Sequence, residues 1–269
     1  MISFPHCKIN LGLHVLSKRS DGYHNIETCF YPVQRTDILE VIPSDKFSFT
    51  QSGLKVDSQE EDNLCVKAFR LFQREFGIGE VKIHLHKIVP MGAGLGGGSS
   101  DAAFTLRLLN QVFDLKLSVE ELKRLASTLG SDCSFFMEDQ PMIGTDRGEV
   151  LAPAAISLKG YHLALVKPDI HVSTAEAYSG IEPKQPENSI QEILKFPVPE
   201  WKERLTNDFE KSIFKKYPAI KDVKENLYSL GAIYSSMSGS GASVFGVFER
   251  PIVLKKEFTS MDYWSGELK

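Results

Sequence analysis

The 269-residue chain is about twice the commonest domain size and carries the 42% hydrophobic and 25% charged residues of an ordinary soluble protein. A net charge of −4 supplies no general field for nucleic acid, and no apolar run reaches the roughly 20 residues of a membrane span. The opening Met-Ile-Ser-Phe-Pro-His lacks the basic and apolar segments of a secretory leader, so the expectation is a cytoplasmic protein that engages neither nucleic acid nor membrane. Cys7, Cys29, Cys65 and Cys133 stand far apart with no CxxC pair, which points to buried thiols.

Apolar runs at residues 7–16 and 28–42, separated by a polar stretch, predict strand, turn, strand. Residues 46–56 predict a hairpin. Leu64, Ala68, Leu71, Phe72 and Phe76 recur at helical spacing over residues 63–76, and residues 81–89 alternate as a half-exposed strand that runs into a glycine-rich loop. A helix from Ser100 follows, with Ala103, Leu106, Leu109, Val112 and Phe113 on its buried side. Ser118-Val119-Glu120-Glu121 forms a capping box that opens the next helix, and Gly130 closes it. Beyond residue 155 the pattern predicts a strand at 162–167, a short helix at 174–179 and a proline-rich connector at 183–199. Helices at 201–216 and 220–230 come next, then two strands within 233–248 around a second glycine turn.

The first loop, Pro90-Met91-Gly92-Ala93-Gly94-Leu95-Gly96-Gly97-Gly98-Ser99-Ser100, has five glycines in seven positions between a strand and a helix. Without Cβ atoms, successive backbone N–H groups turn toward one point, and the helix N-terminus adds about half a positive charge there. That combination binds phosphates. A mobile turn needs fewer glycines. The GxGxxG spacing also suits a dinucleotide fold, but the loop arrives late and no strand ending in Asp or Glu follows it. Gly98 stands where a Walker A loop requires lysine, and protein-kinase signatures are absent. Nothing in the loop is basic, so backbone dipoles and a metal ion must balance the phosphate charge, which implies Mg²⁺ carried mainly by the bound phosphates. His84 and His86 share a strand face but have no third ligand nearby.

Residues 90–103 resemble the second motif of the superfamily of galactokinase, homoserine kinase, mevalonate kinase and phosphomevalonate kinase. Lys8-Ile9-Asn10 resembles its first motif, and residues 237–245, beginning Met-Ser-Gly-Ser-Gly, its third. The run Arg19-Ser20-Asp21-Gly22-Tyr23-His24, with Gly130-Ser131-Asp132, is similar to the branch that phosphorylates a cytidylated methylerythritol on the non-mevalonate route to isoprenoids. The resemblance implies an α+β, two-lobe fold with a ribosomal-protein-S5-domain-2-like N-terminal lobe (residues 1–154), a ferredoxin-like C-terminal lobe (155–269) and an active site in their cleft. It also implies ATP-dependent phosphorylation of the 2-hydroxyl of the erythritol moiety by a monomer or weak homodimer.

On that resemblance Asp132 is the general base and Lys8 the residue that aligns the hydroxyl and offsets charge. Read as residues alone, Asp132 is equally a helix N-cap and Lys8 a solvated strand lysine. Asn10, Tyr23 and His24 map onto substrate recognition, since an aromatic ring stacks on cytosine and an imidazole bonds its edge. Tyr178, Thr174 and Gly239 are further substrate-side candidates. The loop takes the ATP phosphates, with Ser99 and Ser100 offering hydroxyls or Ser100 capping the helix. Asn63 reads adenine or caps its own helix, and Lys87 neighbours the nucleotide. Cys133 and Ser134 depart from the residues more usual after the motif aspartate, and little chain remains after the third motif to close the second lobe. A nucleotide-sensing regulator that had lost catalysis predicts a damaged Lys8 or Asp132; both are intact.

Overall fold

The two N-terminal apolar runs become strands, but the second breaks where a single strand was expected. In the computed structural model, which describes residues 1–55 and 59–269, β1 (Ile2–Ser3) and β2 (His6–Lys18) are followed by β3 (His24–Thr36) and β4 (Ile38–Pro43). The break falls at Asp37. Its N–H donates to the Pro5 carbonyl and its carboxylate accepts the N–H groups of Ile88 and Val89, so it cannot continue the β3 ladder. β5 (Ser48–Gly53) occupies the segment expected as a hairpin, whose last residue, 56, lies outside the described residues. It does not fold back on a neighbour. Instead α1 (Leu64–Phe76) intervenes, and β5 pairs in parallel with β6 (Val81–Lys87), as a helical crossover allows.

Asn63 caps α1 by accepting the Cys65 N–H, Gly77 ends it in the left-handed region, and Val66, Phe69 and Phe72 are buried on one side. Each such burial is worth about 1.5–3 kcal/mol. β6 places Val81, Ile83, Leu85 and Lys87 inward in a sheet of order β1-β4-β6-β5. α2 (Gly97–Val112) packs on α1 and begins three residues before the expected Ser100. α3 (Val119–Ser127) carries the predicted capping box but ends at Thr128, short of Gly130.

β7 (Met142–Thr145) and β8 (Val150–Pro153) extend a second sheet of order β2-β3-β7-β8. β9 (His162–Lys167) and α4 (Thr174–Ser179) fall where predicted, and the proline-rich connector contains a capped turn, α5 (Ile190–Ile193). The helix expected over 201–216 is mostly absent. A 3₁₀ stretch ends at Glu203, an irregular segment follows, and only α6 (Glu210–Lys216) is α-helical. Asn207 and Asp208 cause the interruption. Asn207 bonds the third-motif backbone and Asp208 accepts the Val15 N–H, so both side chains serve tertiary contacts a helix interior would forbid. α7 (Pro218–Ser229), β10 (Tyr234–Met237), β11 (Val244–Phe248) and β12 (Asp262–Glu267) complete the chain. The third sheet, β10-β11-β9-β12, is antiparallel throughout, so the short tail supplies its outer edge.

Compactness divides the chain into two units interleaved in sequence. The first comprises Met1–Cys7, Arg35–Met91 and Gly96–Asp139; the second comprises Lys8–Gln34, Gly92–Leu95 and Gln140–Lys269. Where the sequence suggests one cut after residue 154, the units follow strand pairing, and the chain passes between them near Asp37. In the second unit Val15, Val166, Phe209, Ile220, Val223 and Val244 form one buried core. All four cysteines are buried, and burial pushes the Cys7 and Cys133 thiols up to about 12.

Candidate active site

In the first unit, α2 opens on Gly96 with no acidic residue in its first turn and, unlike α1 and α3, whose N-caps are Asn63 and Ser118, with no side-chain cap. Its N-terminal N–H groups therefore face no carboxylate or hydroxyl of their own helix, the arrangement that suits a bound anion. Ser100 is fully buried and does not cap. Its Oγ has no hydrogen-bond partner among the described residues. Ser99 bonds the Cys133 thiol, and a Cβ on Gly130 would meet both Cys133 Sγ (3.2 Å) and Ser99 Oγ (3.9 Å). The turn that carries Asp132 is thus packed onto the end of the glycine loop. Asp132 is half-buried at the N-cap position of a 3₁₀ turn, Cys133–Met137, yet its side chain makes no capping bond.

Two nucleotide-side candidates in this unit are otherwise engaged. Asn63 accepts the Cys65 N–H as an N-cap at 2.9 Å. Lys87 is fully buried, with its ammonium on the carboxylates of Asp37 and Asp101. Burial alone would lower that ammonium, but Asp101 and Asp37 outweigh it and hold it above the ordinary lysine value. Pro90 is buried, while Met91 is exposed and lies over Gly98.

The second unit holds the middle of the loop and the first and third motifs. Ala93 and Leu95 are buried and anchor it, while Gly92 and Gly94 lie between and before them on its more open side. Lys8, 3% exposed, donates its backbone N–H to Leu95 O, and its ammonium donates to Gly94 O at 3.1 Å and Asn10 Oδ1 at 2.6 Å. Asn10 Nδ2 donates to Thr28 Oγ1, which donates to Gly12 O. That relay fixes which way the Asn10 amide points, and so aims an oxygen at Lys8. Ser238 Oγ donates to the same Gly94 carbonyl at 2.8 Å. Gly94 has φ +75°, and a Cβ there would fall 1.9 Å from Ser238 O, so glycine is required for the third motif to close on the loop. Gly239 lies against Gly94 and Asn10 in the same contact.

Two of the aromatics expected on the substrate side are brought together across the sequence. His24 and Tyr178 stack with centroids 4.8 Å apart and planes 18° apart, and Tyr178 rests edge-on against Phe209. Burial, then the charge of Lys18, lowers the His24 pKa, which favours the neutral ring. Tyr23 is exposed, with the Arg147 guanidinium 5.1 Å from its ring. Asp21 builds this turn, since its carboxylate accepts the Tyr23 N–H and the Arg19 Nε–H. Thr174 is the exposed first residue of α4.

Several residues were missed. Asn207 donates to the carbonyls of Met237 and Gly239, both at 2.8 Å, and shapes the third motif. Its signal was an Asn-Asp pair inside a supposed helix. His171, which carried no sequence signal, lies with its ring 3.2 Å from where a Gly92 Cβ would sit. Thr28 and Ser238 gave none either, because a buried hydroxyl reads like any strand residue.

Residues 63–141 match the GHMP kinases N terminal domain and residues 189–258 the GHMP kinases C terminal domain. With the uncapped glycine loop, these matches place the chain among the GHMP kinases. It is 51% identical over 270 residues, with full coverage of both chains, to 4-diphosphocytidyl-2-C-methyl-D-erythritol kinase of Parabacteroides distasonis. A crystal structure of 4-(cytidine 5'-diphospho)-2C-methyl-D-erythritol kinase superposes at TM-score 0.86 with 32% identity, covering 100% of this chain and 99% of that one. The chain belongs to the 4-diphosphocytidyl-2-C-methyl-D-erythritol kinase family. The mevalonate kinase of Methanococcus jannaschii shares the fold at TM-score 0.69 and 16% identity, covering 100% of this chain and 98% of that one.

Proposed function

We propose that the chain transfers the γ-phosphoryl group of ATP to the 2-hydroxyl of 4-diphosphocytidyl-2-C-methyl-D-erythritol, with Asp132 as general base and Lys8 as the cation that aligns acceptor and base. The observation that carries this reading is the uncapped, glycine-led start of α2, against whose Ser99 the turn that bears Asp132 is packed. Asp132 stands in the turn packed against Ser99, and its carboxylate accepts the hydroxyl proton as the new P–O bond forms. Lys8, oriented by Asn10 and Gly94, offsets the charge that develops there. The loop N–H groups and the N-terminus of α2 hold the phosphates.

The residues fit a phosphate-bound Mg²⁺. Ser100 presents a buried, unpartnered hydroxyl at the loop's end, and Ser99 lies beside it. A bound ion would supply positive charge to the phosphates there. For the acceptor, the stacked His24 and Tyr178, with Tyr23, Asn10, Thr174 and Gly239, form the cytidine and erythritol side. We assign Asn63 to the adenine side, residues 1–154 and 155–269 to the two family domains, and the protein to the cytoplasm as a monomer or weak homodimer. Among the described residues no helix is long and apolar enough to cross a membrane.

A coupled assay of ADP release tests the reading. The purified chain should release ADP with the cytidylated methylerythritol and not with mevalonate or homoserine. Turnover of either of those in its place would overturn the substrate assignment.

A further inference from the structure

Three charged side chains that the proposed chemistry does not use meet inside the first unit, below both stems of the glycine loop. Lys87 ends β6 three residues before Pro90, and its side chain is 0% exposed. Its ammonium donates to Asp37 and, at 2.9 Å, to Asp101 Oδ2 on α2. A Cβ on Gly97 would lie 2.9 Å from Lys87 Nζ, so this glycine admits the ammonium beneath the first turn of α2. Asp37 also grips the entry stem. Its Oδ1 accepts the N–H groups of Ile88 (2.5 Å) and Val89 (2.8 Å), and Arg35 Nη2 donates to the Ile88 carbonyl at 3.0 Å. One ammonium therefore joins the strand that enters the loop to the helix that leaves it.

Stability alone is a poor reason for such a cluster. Two carboxylates and one ammonium taken from water carry a desolvation cost that their mutual attraction barely repays, and apolar replacements of buried ion pairs are often neutral or stabilising. What the cluster supplies is direction, because charge-assisted bonds from one rigidly held nitrogen fix the distance between two backbone segments. We propose that Lys87, clamped between Asp37 and Asp101, is a positioning residue that sets the spacing of the two stems of the donor-phosphate loop and thereby the affinity for nucleotide, without touching the nucleotide. This rests on the reading of the loop as the ATP phosphate site. It replaces the expectation that Lys87 contacts ATP, since its ammonium is enclosed by carboxylates.

Calorimetric binding of a non-hydrolysable ATP analogue, and separately of the cytidylated acceptor, tests the proposal in Lys87→Met and Asp101→Asn. The first leaves two carboxylates unpaired, so the isosteric second variant, which keeps the Lys87–Asp37 pair, carries the test should the first not fold. The analogue's Kd should rise about tenfold in Lys87→Met and about threefold in Asp101→Asn, with the acceptor's Kd within about twofold of wild type. Unchanged analogue affinity in Asp101→Asn, or equal weakening of both ligands, overturns the proposal. Because binding is read without turnover, a wild-type chain that bound the analogue but left the acceptor unphosphorylated would sink the proposed reaction and leave this test intact.

Discussion

Lys8 and Lys87 are both buried lysines tied to the same glycine loop, and their surroundings differ in kind. Lys8 donates to the Asn10 amide oxygen and the Gly94 carbonyl, whereas Lys87 donates to the carboxylates of Asp37 and Asp101. A cation placed beside reacting atoms directs its field at the charge that appears during reaction. One held between two carboxylates has that field cancelled and serves as a fixed joint. The same residue type at two ends of one motif thus suits chemistry in one case and geometry in the other.

The sharpest way to break this contrast is Lys8→Met. Turnover should fall by about 10²-fold or more while affinity for the ATP analogue stays within about threefold, the reverse of the split expected at Lys87. A variant that lost nucleotide affinity and kept its turnover would erase the distinction. Tyr178→Ala sharpens the picture from a third direction. Loss of the His24–Tyr178 stack should raise the acceptor KM by about tenfold and leave the KM for ATP alone. An effect on ATP instead would remove Tyr178 from the acceptor side.

The smallest effect concerns stability and pH. Burial, opposed by Lys87 and reinforced by the charge of Asp37, raises the Asp101 carboxyl well above its ordinary value. An acid raised on folding takes up a proton as the chain folds, so this group's contribution makes stability fall as pH rises from about 4 toward neutrality. Thermal melting of Asp101→Asn should decline less steeply over that window than that of wild type. Equal slopes would contradict the assignment.

Much of the site was legible because its parts are local. The glycine run, the Asp21-built turn before Tyr23 and His24, and the Ser118 capping box each declare themselves within six or eight residues. Pairings across long separations were not. Nothing in the sequence near Asp37 says that its carboxylate will meet Ile88 and Val89, and for that reason the strand break there and the burial of Lys87 both escaped. The parallel register of β5 was hidden similarly, since Ser48–Gly53 alternates as a hairpin strand does and only the intervening α1 decides its partner. Asn207 and Glu210 lay in an apparent helix because helical spacing of apolar residues says nothing about polar side chains that bond a distant turn. Asp132 stands at the N-cap position of a 3₁₀ turn without a capping bond, a geometry that its sequence neighbours did not declare.

The central claim is that Asp132 accepts the acceptor's proton beside a loop that holds the donor. Asp132→Asn is the direct measurement, with turnover of the cytidylated methylerythritol and binding of the ATP analogue read on the same preparation. The account predicts kcat lower by about 10³-fold with analogue affinity unchanged; a variant that turned over at the wild-type rate would contradict it.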